Sequence, residues 1–254
     1  MKNINIFIGI DQTGAVQKNG LPKPLNVCII DQRKKLIVKN GLYISSLTQV
    51  NIKNLLITEL KNYNNEPVLI CVDTVFGLPV ELNIKVQKIL KTSENYSFKE
   101  KKYGALTAHH FFNSFLKVTK TKVLPQRRVD QIVNSNSVFN LAPYQKNIGC
   151  GSYRIIKDLA SEKKWFNLWP FESKNCQFYI AEGYPTFFWK NLLNLKSRNL
   201  EELKNFFPKL TFKNLDQADS FLLAFGASKC EKYLFKTPTK AAKKEGWILG
   251  VPFE

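Results

Sequence analysis

The sequence predicts an α/β domain built on a mixed sheet with helices on both faces. Three observations carry this expectation. Short β-branched runs alternate with longer stretches of helical periodicity. The first three runs are joined by short connections, as in an antiparallel meander. The run Val68-Leu-Ile-Cys-Val72 is unbroken and β-rich, as expected of a strand covered on both sides.

The elements follow in order. Residues 4–10 read as the first strand, ending at Gly-Ile-Asp, and Gln12-Thr-Gly-Ala is a turn. Leu25-Asn-Val-Cys-Ile-Ile30 is a second strand, Asp31-Gln-Arg-Lys a polar turn, and Leu36-Ile-Val38 lies in a third. Over residues 48–63 the apolar positions Val50, Ile52, Leu55, Leu56, Ile57 and Leu60 mostly share a helical face, with Thr48 at its start. The fourth strand is the run 68–72, followed by a Gly- and Pro-containing loop to Pro79. Residues 82–170 are less regular, rich in Lys and interleaved with aromatics. They read as a largely helical insertion into a single domain spanning 1–254. Residues 177–181 return to strand character. Helices are expected over 186–195, 199–207 and 216–229, the last with Ala218, Phe221, Leu222 and Phe225 on one face. Residues 247–251 read as a final strand or a packed tail.

Composition narrows the function classes. A hydrophobic content of 44% in 254 residues suits a globular protein and not a disordered one. No apolar stretch reaches the roughly 18–20 residues of a membrane span. The N-terminal residues do not read as a signal peptide, so a cytoplasmic protein without membrane contact is expected. The five cysteines form no Cys-x-x-Cys pair and read as reduced thiols. The net charge is +18, with Asp and Glu together only 20. Such a surface attracts polyanions, and nucleic acid, DNA or RNA, is the expected partner.

Meander, helix, strand, insertion, strand and late helices is the element order of an RNase H-like fold with a mixed five-stranded sheet. Crossover rules make strands one and four parallel neighbours. Their C-terminal ends then share the edge where open α/β sheets place their sites. Asp11 and Asp73 close those strands, Glu182 closes the run 178–181, and a late helix can dock with Asp216 and Asp219 at i and i+3. Carboxylates this close repel: a pair at 4 Å costs about 4 kcal/mol at an effective dielectric of 20. A hard divalent ion, Mg²⁺ or Mn²⁺, relieves that, and two such ions can activate water and stabilise the leaving oxygen of a phosphodiester.

The expected site therefore has Asp11, Asp73, Asp216 and Asp219 as metal ligands. Asp11, Asp73, Glu182 and Asp219 form the catalytic set, with Glu182 an outer ligand or water-orienting base. Arg127, Arg128 and Thr13 are expected to contact substrate, guanidinium forks matching phosphate oxygens. Each acid also has a plainer reading: Asp11 could bond its own turn, Asp73 or Asp216 could cap, and Glu182 could pair with a basic residue of the insertion. Phe111, Phe112 and Phe115 suit core packing better than base stacking.

The segments Gly9-Ile-Asp-Gln-Thr-Gly14, Val72-Asp-Thr-Val-Phe-Gly-Leu-Pro79, Ala181-Glu-Gly-Tyr-Pro185, Asp216-Gln-Ala-Asp219 with Ala224, and Glu245-Gly-Trp-Ile-Leu-Gly-Val251 together resemble one family. It is the family of predicted nucleases with an RNase H-like fold known as domain of unknown function four-two-nine. The likeness spans most of the chain, and Arg127, Arg128 and Asp130 look like the family's Arg-rich insert motif. It departs at Thr74-Val75, where the family often has Ile-Pro, and at Ser220, where Ala is commoner. The resemblance implies a nuclease with acids at Asp11, Asp73, Glu182, Asp216 and Asp219. A wider likeness to Holliday-junction resolvases points the same way, and paired sites in a homodimer would suit a branched substrate.

Two other classes compete. Gly9-Ile-Asp-Gln-Thr-Gly14 also resembles the first phosphate loop of sugar-kinase and actin-like proteins, although no second such loop follows. A non-catalytic nucleic-acid-binding module would keep the fold alone.

Overall fold

A computed structural model describes residues 4–12, 14–32, 44–45, 52, 55, 63, 66–116, 124–140, 148–162, 166–172 and 176–253. Its sheet is mixed, with strand order β3-β2-β1-β4-β6-β5. The strands are β1 (Ile6–Asp11), β2 (Asn26–Asp31), β3 (Ile44–Ser45), β4 (Val68–Asp73), β5 (Phe166–Leu168) and β6 (Phe178–Gly183). The three-residue edge strand β5 adds a sixth member to the five expected. It falls inside the segment read as an insertion, where it is too short to stand out from its surroundings. Residues 36–38, expected in the third strand, lie outside the described residues. So does most of the helix expected over 48–63, of which Ile52 and Leu55 are buried.

The central pairing follows the expected crossover. β1 is antiparallel to β2 and parallel to β4, with Ile6 opposite Val68 and Ile10 opposite Val72. β4 runs parallel to β6, with Val72 opposite Glu182 and Asp73 opposite Gly183. Side chains alternate across a strand, so each register position fixes a face. Ile6, Ile8, Ile10, Val68, Ile70, Val72, Phe178 and Ile180 share one core. Phe7, Leu69, Cys71 and Ala181 belong to the other.

The first face is covered by α1 (Val86–Glu94), α2 (Ala105–Leu116) and α4 (Ile148–Ala160), with α3 (Arg128–Ile132) between them in sequence. The segment 82–170 thus packs on the sheet itself. Phe111, Phe112 and Phe115 are buried in that core, each ring meeting a neighbour edge-on. The second face is covered by α5 (Pro185–Leu193), α6 (Leu200–Phe206), α7 (Leu215–Cys230) and the C-terminal segment after α8 (Lys240–Glu245). Pro185 opens α5 at a position where a missing N–H costs nothing. Asn199 caps α6 by accepting from the Glu201 and Glu202 amides. Residues 247–251 form a packed tail touching the sheet by a single bridge, Ile248 to Glu182.

α7 differs from the one-sided helix expected. Its Phe225 is only half-buried, while Gln217 through Ala224 are all buried, because the helix lies under α5 as well as on β1, β2 and β4. Gly9 makes the close approach possible: a Cβ there would overlap the Ser220 carbonyl and the Ala224 amide. Of the cysteines, Cys28, Cys71, Cys150 and Cys230 are buried thiols and Cys176 is half-buried.

Candidate acidic active site

Parallel pairing brings the ends of β1 and β4 to one edge, so Asp11 and Asp73 leave the sheet side by side. Both fall on the face that carries α7. The Asn214 side chain caps α7 by accepting from the Gln217 amide, which places Asp216 in the first turn and Asp219 one turn on. Asp11, Asp73, Asp216 and Asp219 line one cleft of about 680 Å³, together with Gln12, Thr74, Arg127, Asp130, Ser135, Asn136, Asn140, Thr186 and Arg198. Asp11 and Asp219 are buried, Asp73 is half-buried and Asp216 is exposed.

The acids act on one another across the cleft. Burial, then repulsion from Asp73, Asp219 and Asp216, pushes the Asp11 carboxyl up to about 9, although Arg198 opposes the shift. Burial and the Asp219 charge push Asp73 up to about 7, again against Arg198. Burial raises Asp219 as well, while bonds from Trp189 and Arg198 hold it down. Trp189 Nε1 donates to Asp219 Oδ1 at 2.7 Å, and Arg198 Nη1 donates to Oδ2 at 2.6 Å. Gln12 Nε2 donates to the Asp73 carbonyl at 3.0 Å and so ties the two strand ends together.

Glu182 does not join this cluster. It pairs with Val72, not Asp73, so it projects from the opposite face of the sheet. There it meets Arg127, whose Nη1 reaches Oε1 at 2.8 Å and Oε2 at 2.6 Å. The Phe76 amide also donates to Glu182, at 2.8 Å. Arg127 is 1% exposed; its Nε and Nη2 donate to Asp130 at 2.9 and 2.8 Å, and Nη1 also reaches the Glu245 carbonyl at 3.2 Å. Burial would lower its guanidinium, but Asp130 and Glu182 outweigh that and hold it above its ordinary value. Burial raises Glu182 despite Arg127. The residues expected as water-orienting base and phosphate contact are therefore partners in a buried ion pair. Arg128 is exposed, with its amide bonded to Glu245 Oε2 at 2.8 Å. Thr13 lies outside the described residues.

Arg198 is the residue that sequence reasoning missed. It sits on the connection between α5 and α6, in Leu195-Lys-Ser-Arg-Asn199, where no periodicity or motif marks it.

The all-oxygen donor set suits a hard divalent cation. Two buried polar atoms of the cleft residues, Gln12 Oε1 and Thr74 Oγ1, also find no partner among the described residues. As they stand, no three His, Cys, Asp or Glu side chains among the described residues are gathered closely enough to hold a metal. The chemistry of the donors fits such an ion, while Asp219 is engaged by Arg198. Compared with known proteins, the chain matches no family model, no curated protein and no solved structure. No helix among the described residues is long and apolar enough to cross a membrane.

Proposed function

We propose that this chain has an RNase H-like fold and is a metal-dependent nuclease hydrolysing phosphodiester bonds of DNA or RNA. The observation that carries this reading is the convergence of Asp11, Asp73, Asp216 and Asp219, from three separate elements, on one cleft. Gathering four acids in one cleft, two of them buried, is costly unless positive charge arrives. Structural acids are normally paired, whereas here one arginine serves the whole group.

Asp11, Asp73, Asp216 and Asp219 would hold Mg²⁺ or Mn²⁺, which supplies the charge to activate a water and to stabilise the leaving oxygen, in pairs for a two-metal mechanism. The chain's own groups do the rest. Trp189 fixes Asp219 by its Oδ1, and Gln12 fixes the end of β4. Asn136, Asn140 and Thr186 line the wall with neutral polar side chains suited to phosphate or sugar oxygens. The +18 net charge draws the polyanion to a cleft that is itself acidic. Glu182 and Arg127 act by holding the loop after β4 in place.

The phosphate-loop reading of residues 9–14 is less well supported. Gly14 takes φ +51°, and a Cβ there would sit 2.5 Å from the Gly151 amide. Gly14 is thus packed on Cys150 and Gly151 at the start of α4, which leaves little room beside it for nucleotide phosphates. A panel of labelled single-stranded, duplex and branched DNA and RNA tests the proposal. Mg²⁺-dependent cleavage is expected, abolished by chelation and reduced at least ~100-fold in Asp11→Asn with binding retained. Salt-sensitive binding without cleavage, or cleavage that ignores Mg²⁺, would contradict it.

A further inference from the structure

We propose that Arg198 is the resident counter-ion of the acidic cleft: it occupies Asp219 in the metal-free protein, is displaced when a divalent cation enters, and then binds a phosphate oxygen of the substrate. This rests on the nuclease reading above and names the device by which the same site changes between empty and loaded states.

Four observations carry it. First, the two oxygens of Asp219 are held differently. Oδ1 accepts from Trp189, a side chain with no exposed surface, whereas Oδ2 accepts from Arg198, whose side chain is 47% exposed. Oδ2 is therefore the atom whose partner can change without disturbing the core. Second, Arg198 lies outside any helix, on the short connection between α5 and α6. Its ends are anchored by the Leu195 amide bonding the Trp189 carbonyl and by the Asn199 cap of α6, so the side chain can swing while the backbone stays.

Third, Arg198 and Arg127 are the basic residues that line the cleft among the described residues. Arg127 is fully engaged by Asp130, Glu182 and the Glu245 carbonyl, which leaves Arg198 as the cation able to move. Fourth, one guanidinium cannot neutralise four carboxylates. Thr74 Oγ1 and Gln12 Oε1 in the same lining are further oxygens, without a partner among the described residues. A divalent ion among these oxygens repels the guanidinium next to it, and a phosphodiester at the cleft mouth offers Arg198 the oxygen geometry it loses at Asp219.

Mn²⁺ titration by calorimetry tests this on the full chain, comparing wild type, Arg198→Met and Arg198→Lys, with Asp11→Asn as a control. Removing the competing cation should tighten Mn²⁺ binding by Arg198→Met about tenfold. Arg198→Lys, which keeps the charge, should stay near wild type. Affinity of Arg198→Met for a duplex oligonucleotide in Ca²⁺ should fall although its metal site is stronger. A thermal melt with and without Mn²⁺ should show a larger metal-induced rise in Arg198→Met than in wild type. Equal Mn²⁺ affinities in wild type and Arg198→Met would overturn the counter-ion role and leave the nuclease reading standing. Absence of Mn²⁺ binding in every variant would overturn both.

Discussion

At Asp11 a carboxyl is buried beside like charges, and the result is a pH-dependent stability. Its ordinary value of 3.8 rises to about 9 in the folded chain, and that of Asp73 rises to about 7. Between those limits the folded state holds protons that the unfolded state has released. The stabilisation is complete below about pH 4 and is lost as pH rises through 7 to 9. Melting of the metal-free protein should therefore occur at lower temperature at pH 8 than at pH 5. Asp11→Asn, which cannot ionise, should be more stable than wild type at pH 8, by on the order of 1–2 kcal/mol, and the gap should narrow at pH 5 and close below about pH 4. Calorimetry in chelator reads both; a wild type that is more stable at pH 8 would show that the acids are compensated in some other way. Trp189 belongs to this scale too. The sequence marks its segment, 186–195, only as a helix, yet its indole N–H donates to Asp219 Oδ1 and so sets the orientation of that carboxylate.

Among the elements, the faces of β4 and β6 decide which acids can work together. Asp73 shares the face of Leu69 and Cys71, and Glu182 shares the face of Phe178 and Ile180. The strand-end position of Glu182 was plain in the sequence, but its face depended on a register one residue away from the one that would have joined it to Asp73. Arg127 reads from the sequence as a phosphate contact; the three residues that accept from it and bury it come from β6, α3 and the end of α8, far apart in the chain. By contrast Asp11, Asp73 and Asp219 were legible, because acids at the ends of apolar runs and an acid inside an apolar helix are both anomalies of burial. Arg198 was not, since a basic residue in a polar connection is ordinary until its partner is known. The Arg127–Glu182 pair should behave as a structural unit. Arg127→Ala leaves two buried carboxylates unpaired and should cost about 3–5 kcal/mol in denaturant unfolding. Glu182→Gln keeps acceptor and shape and should cost less, about 1–3 kcal/mol, with kcat per folded molecule nearly unchanged. A large fall in kcat without loss of stability would return Glu182 to the chemistry.

For the whole molecule, a strongly basic chain encloses an acidic cleft at the edge of its central strands. On the proposed reading, attraction for a polyanion would belong to the surface and affinity for cations to the site. The sheet joins them: parallel pairing of β1 with β4 sets the acids together, and Gly9 lets α7 press close enough to add Asp219. The central claim is that this edge holds divalent metal. Anomalous diffraction from crystals soaked in Mn²⁺ tests it most directly. The expected result is a strong peak bridged by Asp11 and Asp73, with Asp219 turned to it and Arg198 released. Full density for the four carboxylates with no anomalous peak between them, and Arg198 still paired to Asp219, would contradict it.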